Sequence, residues 1–200
     1  MTTQITAARE YFAKHFVAID LSGQTLTDKE FEGCEFKGCN FSEATFSKCN
    51  FIDCHFGDCN LSLIKLAASK FRGVILEQCK AVGVNWTRAV WPRLILASPL
   101  KFYKCILNDS SFFGLVLEEL VLEGCKARDV DFREANLRGA KLNYTDFSNA
   151  LFGRTNLARA DFSEAINYDI DVFNNEIKQA KFSRYEAIRL LDSLEIELVE

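Results

Sequence analysis

Residues 35–51 read Glu-Phe-Lys-Gly-Cys-Asn-Phe-Ser-Glu-Ala-Thr-Phe-Ser-Lys-Cys-Asn-Phe. Phe36, Phe41, Phe46 and Phe51 stand five residues apart. Cys34, Cys39, Ala44 and Cys49 each stand two residues ahead of one of them. A helix repeats at about 3.6 residues and a strand at 2, so this spacing fits neither. It fits a coil with flat sides, each side turning one large and one small residue inward.

The period extends far in both directions. Stepping by five from Phe16 to Leu96 meets only apolar residues. The next step, Lys101, breaks the phase. One residue later it resumes at Phe102 and runs to Phe182, with Asn167 as the single polar member. Fifteen of the 18 phenylalanines lie on this comb, which composition alone would not produce. A second comb, two residues ahead of the first, holds all 8 cysteines: Cys34, Cys39, Cys49, Cys54, Cys59, Cys79, Cys105 and Cys125. Alanine, serine and threonine share it. The residue between the combs is commonly polar, as at Glu35, Asn40, Asn60, Asp131 and Asp161.

Four such sides close a square turn in about 20 residues, and turns stack at about 4.8 Å. Backbone hydrogen bonds then run from turn to turn, leaving only the two ends unpaired. The expected fold is an all-β solenoid, a quadrilateral β-helix, over residues 16–182. Residues 1–15 form an N-terminal cap with Tyr11 in phase. Residues 183–200 form a C-terminal cap. There Ser183 and Glu186 read as a capping box, Ala187 to Leu194 carry apolar residues at α-helical spacing, and 195–200 alternate like a short strand. The solenoid would be roughly 40 Å long. The slip at residues 97–101 is one residue by this count, and reads either as a tolerated insertion or as a recognition feature.

The bulk properties narrow the function. A net charge of −4 argues against general affinity for nucleic acid or anionic membrane. No basic segment leads into an apolar one at the start and no run is long enough to span a bilayer, so a cytoplasmic protein is expected. The cysteines lie one full side apart rather than at zinc-ligand spacing, and read as small core residues, not metal ligands. Trp86 and Trp91 follow the small Ala81 on the comb, which suggests a local exchange of core volume; the other reading puts an indole at the surface. His15 and His55 have no partner at catalytic spacing. No nucleophile, paired-carboxylate or phosphate-loop arrangement is evident, and neither enzyme activity, cofactor nor metal is expected.

Stretches 35–51 and 135–142 (Ala-Asn-Leu-Arg-Gly-Ala-Lys-Leu) resemble the pentapeptide-repeat proteins, whose fold is a right-handed quadrilateral β-helix. Within that family Cys59-Asn-Leu-Ser-Leu63, Val82-Gly-Val-Asn-Trp86, Cys105-Ile-Leu-Asn-Asp-Ser110 and Leu191-Asp-Ser-Leu-Glu-Ile-Glu-Leu198 are similar to the topoisomerase-protecting branch, its albicidin-resistance members above all. The resemblance implies a non-catalytic dimeric rod that mimics duplex DNA, occupies DNA gyrase or topoisomerase IV, and relieves poisoning by an albicidin-like compound or a quinolone. The absence of a long projecting loop favours the albicidin type. The candidate dimer residues are Ile188, Leu191, Leu194, Ile196 and Leu198, because the C-terminal cap carries more apolar surface than a simple cap needs. The candidate partner contacts are Ser98, Pro99 and Lys101 at the slip, and Asp192, Glu195 and Glu197 in the acidic tail. A scaffold protein with another protein partner, and direct sequestration of the drug, are the rival readings.

Overall fold

A computed structural model describes residue 5, residues 8–91, 98–194 and 196–197. The chain is a right-handed quadrilateral β-solenoid of about eight turns, built from parallel ladders. Each side is named here for its phenylalanine in the second coil. On the Phe31 side the strands Glu10–Phe12, Glu30–Glu32, Asn50–Ile52 and Lys70–Arg72 pair in register. On the Phe36 side six strands pair, from His15–Val17 to Val121–Glu123. The Phe46 side begins with Thr25–Thr27, Thr45–Ser47 and Lys65–Ala67. The Phe41 side is a ladder of single bridges, Asp20↔Asn40↔Asn60↔Lys80 and onward.

The five-residue unit explains this geometry. The comb residue and the residue two places ahead of it point inward, while those flanking the comb residue point out. The residue two places after it turns the corner with a left-handed backbone. Glu134, at φ 60°, does so between Phe132 and Ala135, whose N–H donates to the Phe132 carbonyl at 3.1 Å. A positive φ at that place is what a type II turn requires.

Like stacks on like inside. Phe31, Phe51 and Phe71 form a column with ring centroids 5.1 and 5.3 Å apart, continued by Trp91 at 6.2 Å. Neighbouring columns meet edge to face, as Phe36 meets Phe41 at 5.7 Å. Each buried phenylalanine contributes about 1.5–3 kcal/mol of transfer free energy. The three phenylalanines off the comb, Phe12, Phe113 and Phe173, are all exposed.

Three boundaries differ from the sequence expectation. The ladder begins before residue 16, since Tyr11 already pairs with Phe31. At Asn167 the chain shifts by one. Asn167 takes a φ of 59°, and the buried Tyr168 enters the core against Phe162 instead. The C-terminal helix, Glu186–Leu194, is 3₁₀ rather than α. Its capping box does not close: the Ser183 hydroxyl accepts from the Glu164 N–H at 2.7 Å, and the Glu186 carboxylate accepts from the Asn167 N–H at 2.7 Å. Both side chains cap the last coil of the solenoid instead of the helix. The strand expected at 195–200 lies largely outside the described residues.

Candidate functional site

Among the described residues the interior offers no reactive or metal-binding site. All eight cysteines are buried free thiols. Cys39, Cys59, Cys79, Cys105 and Cys125 follow one another up the Phe41 side. The Cys59 thiol donates to the Phe36 carbonyl of the coil before and accepts from the Cys39 N–H at 3.4 Å. Burial pushes the Cys54 thiol up to about 12. The Cys54 thiol is thus held protonated and hydrogen-bonded to the Phe31 carbonyl, the opposite of a reactive thiolate. Among the described residues no cluster of His, Cys, Asp or Glu is placed to hold a metal ion. The concave places are open grooves between ridges of surface side chains. One of them, about 580 Å³, is lined by Leu63, Ile64, Leu66 and Ala67 with Glu43 and Arg88. Recognition therefore falls to the outer faces and ends.

The phase slip is larger than the comb reveals. Across it Leu76 pairs with Phe102, Lys80 with Ile106 and Asn85 with Ser111, an offset of 26 residues where every other coil has 20. Six residues, not one, are interposed between Trp91 and Phe102, and Phe102 is the core residue that pairs with Leu76. A five-residue comb registers an insertion only by its remainder. Residues 92–97 lie outside the described part. Of the candidate contacts beside them, Ser98 and Pro99 are buried, the Ser98 hydroxyl donating to the Leu100 carbonyl at 2.6 Å. Neither side chain can meet a partner there. Lys101 is half-buried on the strand Leu100–Tyr103. The tryptophans divide the two readings between them. Trp86 is core, stacked on Phe112. Trp91 is half-buried, donates from its indole Nε1 to the Trp86 carbonyl, and lines a groove with Ile52 and Val90.

The C-terminal end is apolar and acidic together. Leu190 packs against the core, while Ile188, Leu194 and Ile196 are exposed and Leu191 is half-buried. Phe173 and Tyr185, exposed at 75% and 92%, extend the same end, and sequence reasoning did not single them out. For Phe173 the signal was its place off the comb. Asp192 and Glu197 are exposed; Glu195 and Leu198 lie outside the described residues. From Asp161 onward ten Asp and Glu stand against four Lys and Arg. Several charges on the upper coils are paired, Arg128 with Asp146 at 2.7 Å and Arg133 with Asp131 at 2.9 Å. Burial raises the Asp146 carboxyl, but hydrogen bonds from Asn167, Ser148 and Arg128 outweigh it and hold the group well below the usual carboxylate range. Among the described residues no helix is long and apolar enough to cross a membrane.

The chain matches the family model described as a pentapeptide repeat region over residues 29–97 and 85–162. No curated protein sequence matches it significantly. Among solved structures, full-length QnrB1, described as a plasmid-mediated fluoroquinolone resistance protein, is 22% identical with a TM-score of 0.60. The match covers 94% of this chain and 100% of that one. A trypsin-treated variant of QnrB1 gives 22% identity, a TM-score of 0.63, and coverage of 93% and 100%. HetL, described as involved in heterocyst differentiation regulation in the cyanobacterium Nostoc sp. strain PCC 7120, is 15% identical with a TM-score of 0.61, covering 86% of each chain. At these identities the likeness is one of fold. The five-residue comb is realised as four stacked sides and the family model spans both halves of it, so the chain belongs to the pentapeptide-repeat proteins.

Proposed function

We propose that this protein is a non-catalytic resistance or immunity protein that binds DNA gyrase in place of duplex DNA and relieves poisoning by an inhibitor. The observation that carries the reading is the collection of negative charge at one end of a narrow, filled rod, ten acidic against four basic residues from Asp161 onward. Two copies joined end to end through Ile188, Leu191 and Leu194, with Ile196 and Leu198, would set two such segments together in the middle of a rod of about 80–100 Å. A saddle built to hold duplex DNA is basic, and it attracts that distribution through the same long-range field. Asp192, Glu195 and Glu197 are the carboxylates nearest the seam.

The description of QnrB1 as a fluoroquinolone resistance protein supports a resistance role, while HetL shows that the same fold serves regulation. The inhibitor is an albicidin-like compound or a quinolone; six interposed residues beside Trp91 remove the argument against a quinolone that rested on the lack of a loop. Lys101 is the remaining candidate contact beside that insertion. Topoisomerase IV is a second target of the same chemistry, and the cytoplasm is where either would be met. The test is a gyrase supercoiling and cleavage assay with each inhibitor, titrated with this protein. Rescue of supercoiling, and inhibition of gyrase at higher protein concentration, is expected. Neither rescue nor inhibition at micromolar protein would overturn the proposal.

A further inference from the structure

Between the strand Lys65–Ala67 and the 3₁₀ turn Trp86–Arg88 the ladder of the Phe46 side is open. One coil earlier the Lys65 N–H donates to the Ala44 carbonyl at 2.9 Å, and one coil later the Ser111 N–H donates to the Val84 carbonyl at 3.0 Å. Among the described residues the bond between these two, from the Asn85 N–H to the Ile64 carbonyl, is not formed. The Asn85 carbonyl is taken by the Arg88 N–H of its own turn at 3.3 Å, and the Leu66 N–H finds no acceptor across the gap. The Ala68 N–H reaches one residue beyond the usual place, to the Arg88 carbonyl at 3.3 Å, where the Lys48 N–H meets the Ala67 carbonyl at 2.7 Å. Immediately before and after the gap the coils stay paired, Asn60 with Lys80 and Lys70 with Val90.

Trp86 accounts for the opening. It stands one coil after Leu66 in the same column, and its indole is larger than the leucine or phenylalanine of the other coils. It stacks on Phe112 at 5.9 Å and meets Phe71 edge to face at 5.8 Å, so the backbone around it bows outward. The Asn85 side chain holds the bowed turn by accepting from the Thr87 N–H at 3.1 Å.

The groove of about 580 Å³ lies over this gap. Its apolar part is made by Leu63, Leu66 and Ala67. Leu63 is exposed and lies against Gly83, where an added Cβ would fall 2.6 Å from the leucine Cδ2. Lys65 and Arg88 line the same groove, both exposed, and among the described residues neither forms an ion pair. Glu43 is the single carboxylate in the lining. From Lys65 to Lys104 eight Lys and Arg stand against Glu77 alone, in a chain whose net charge is −4. The field around the groove is therefore positive and draws in anions.

We propose that this opening binds a flat, mainly apolar small molecule that carries one anionic group, an aromatic carboxylate or sulfonate in kind. Its rings lie on Leu63, Leu66 and Ala67, its anion meets Lys65 and Arg88, and its polar atoms take up the freed Asn85 and Leu66 N–H groups. Backbone groups of this kind are almost always paired, so a partner at the gap offsets the cost of leaving the ladder open. The volume lies within the usual range for small-molecule sites, about 300–1,000 Å³. An added peptide strand does not fit. It would need about twice the ordinary strand spacing of about 4.8 Å, and the pairing on either side of the gap holds the coils together. The site is remote from the C-terminal seam and does not rest on the gyrase reading.

The test is a fluorescence titration of the full chain with 8-anilinonaphthalene-1-sulfonate, beside its neutral counterpart N-phenyl-1-naphthylamine. Saturable binding at one site per chain is expected, with the neutral probe weaker by about tenfold, since it forgoes both cations. Arg88→Ala and Lys65→Ala, both at exposed positions, should each weaken the sulfonate by about threefold and leave the neutral probe unchanged. Ala67→Phe should fill the groove and abolish binding. Amide NMR locates the probe, with the largest shifts expected at Leu66, Asn85 and Arg88. No saturable binding, equal affinity for the two probes, indifference to Arg88→Ala and Lys65→Ala, or shifts gathered at Phe173 and Ile188 instead of the groove overturns the proposal. If Ala67→Phe disturbs folding, the two alanine variants and the shift map decide the question without it.

Discussion

The Asn167 N–H donates to the Glu186 carboxylate at 2.7 Å, in the place where earlier coils offer a backbone carbonyl. One coil before, the equivalent Phe147 N–H donates to the Ile166 carbonyl. The solenoid thus ends because side chains take over the role of the next coil. Ser183 does the same for Glu164, and Arg189 holds Glu186 in position at 2.6 Å. Glu186→Ala leaves a donor without its acceptor and should cost about 1–3 kcal/mol. For a chain of this size that lowers Tm by a few degrees per kcal/mol, roughly 3–10 °C in all. Hydrogen exchange checks the mechanism: the Asn167 amide should exchange faster, while amides of the first coils are unchanged. Equal protection at Asn167 in both proteins would refute it.

The thiol columns predict an alkaline limit to stability. Burial raises Cys54 from an ordinary 9.0 to about 12, and burial likewise raises Cys34 and Cys49. Cys39 is raised by its hydrogen bond with Cys59 and by burial. Each group has a higher pKa folded than unfolded. The stability it contributes is complete below the unfolded pKa and is lost as pH rises toward the folded one. Above about pH 9 the Cys54 thiol should lower the unfolding free energy by about 1.4 kcal/mol per pH unit, and the others should act in the same direction. Urea titrations at pH 8, 9 and 10 would show this, with a shallower slope in Cys54→Ala. A flat profile across that range would exclude it.

Deleting residues 92–97 should restore a 20-residue coil, since Phe102 would then fall five residues after Trp91. Loop-closure entropy changes slowly with length, so Tm should shift by only a few degrees, and circular dichroism should retain its β signal. Loss of gyrase rescue in the deletion, with the fold intact, would place a contact at this insertion. An unfolded deletion variant would mean that the six residues belong to the core.

The comb made the architecture legible because packing inside a four-sided coil leaves little choice: every fifth residue must be large and apolar, and the residue two ahead must be small. Cys39 and Phe41 are read correctly from spacing alone. The insertion was visible only by its remainder after division by five, so its full length shows only in the pairing of Leu76 with Phe102. Ser183 and Glu186 form a helix-capping pattern in sequence, yet the open edge of the last coil competes for the same side chains and wins them.

The corner residues allow a test of backbone strain free of packing. Ala18, Gly38 and Asp58 occupy the same corner in successive coils, with φ of 52°, 62° and 54°. A side chain in this region costs roughly 1–2 kcal/mol, partly offset by the greater unfolded-state freedom of glycine. Nothing lies within 4 Å of a Cβ built on Gly38, so no clash enters the comparison. Ala18→Gly should therefore stabilise, and Gly38→Ala destabilise, by about 0.5–1 kcal/mol each. Chemical denaturation with an unchanged m-value would measure both. Shifts of the same sign in the two variants would show that contacts, not φ, govern these corners.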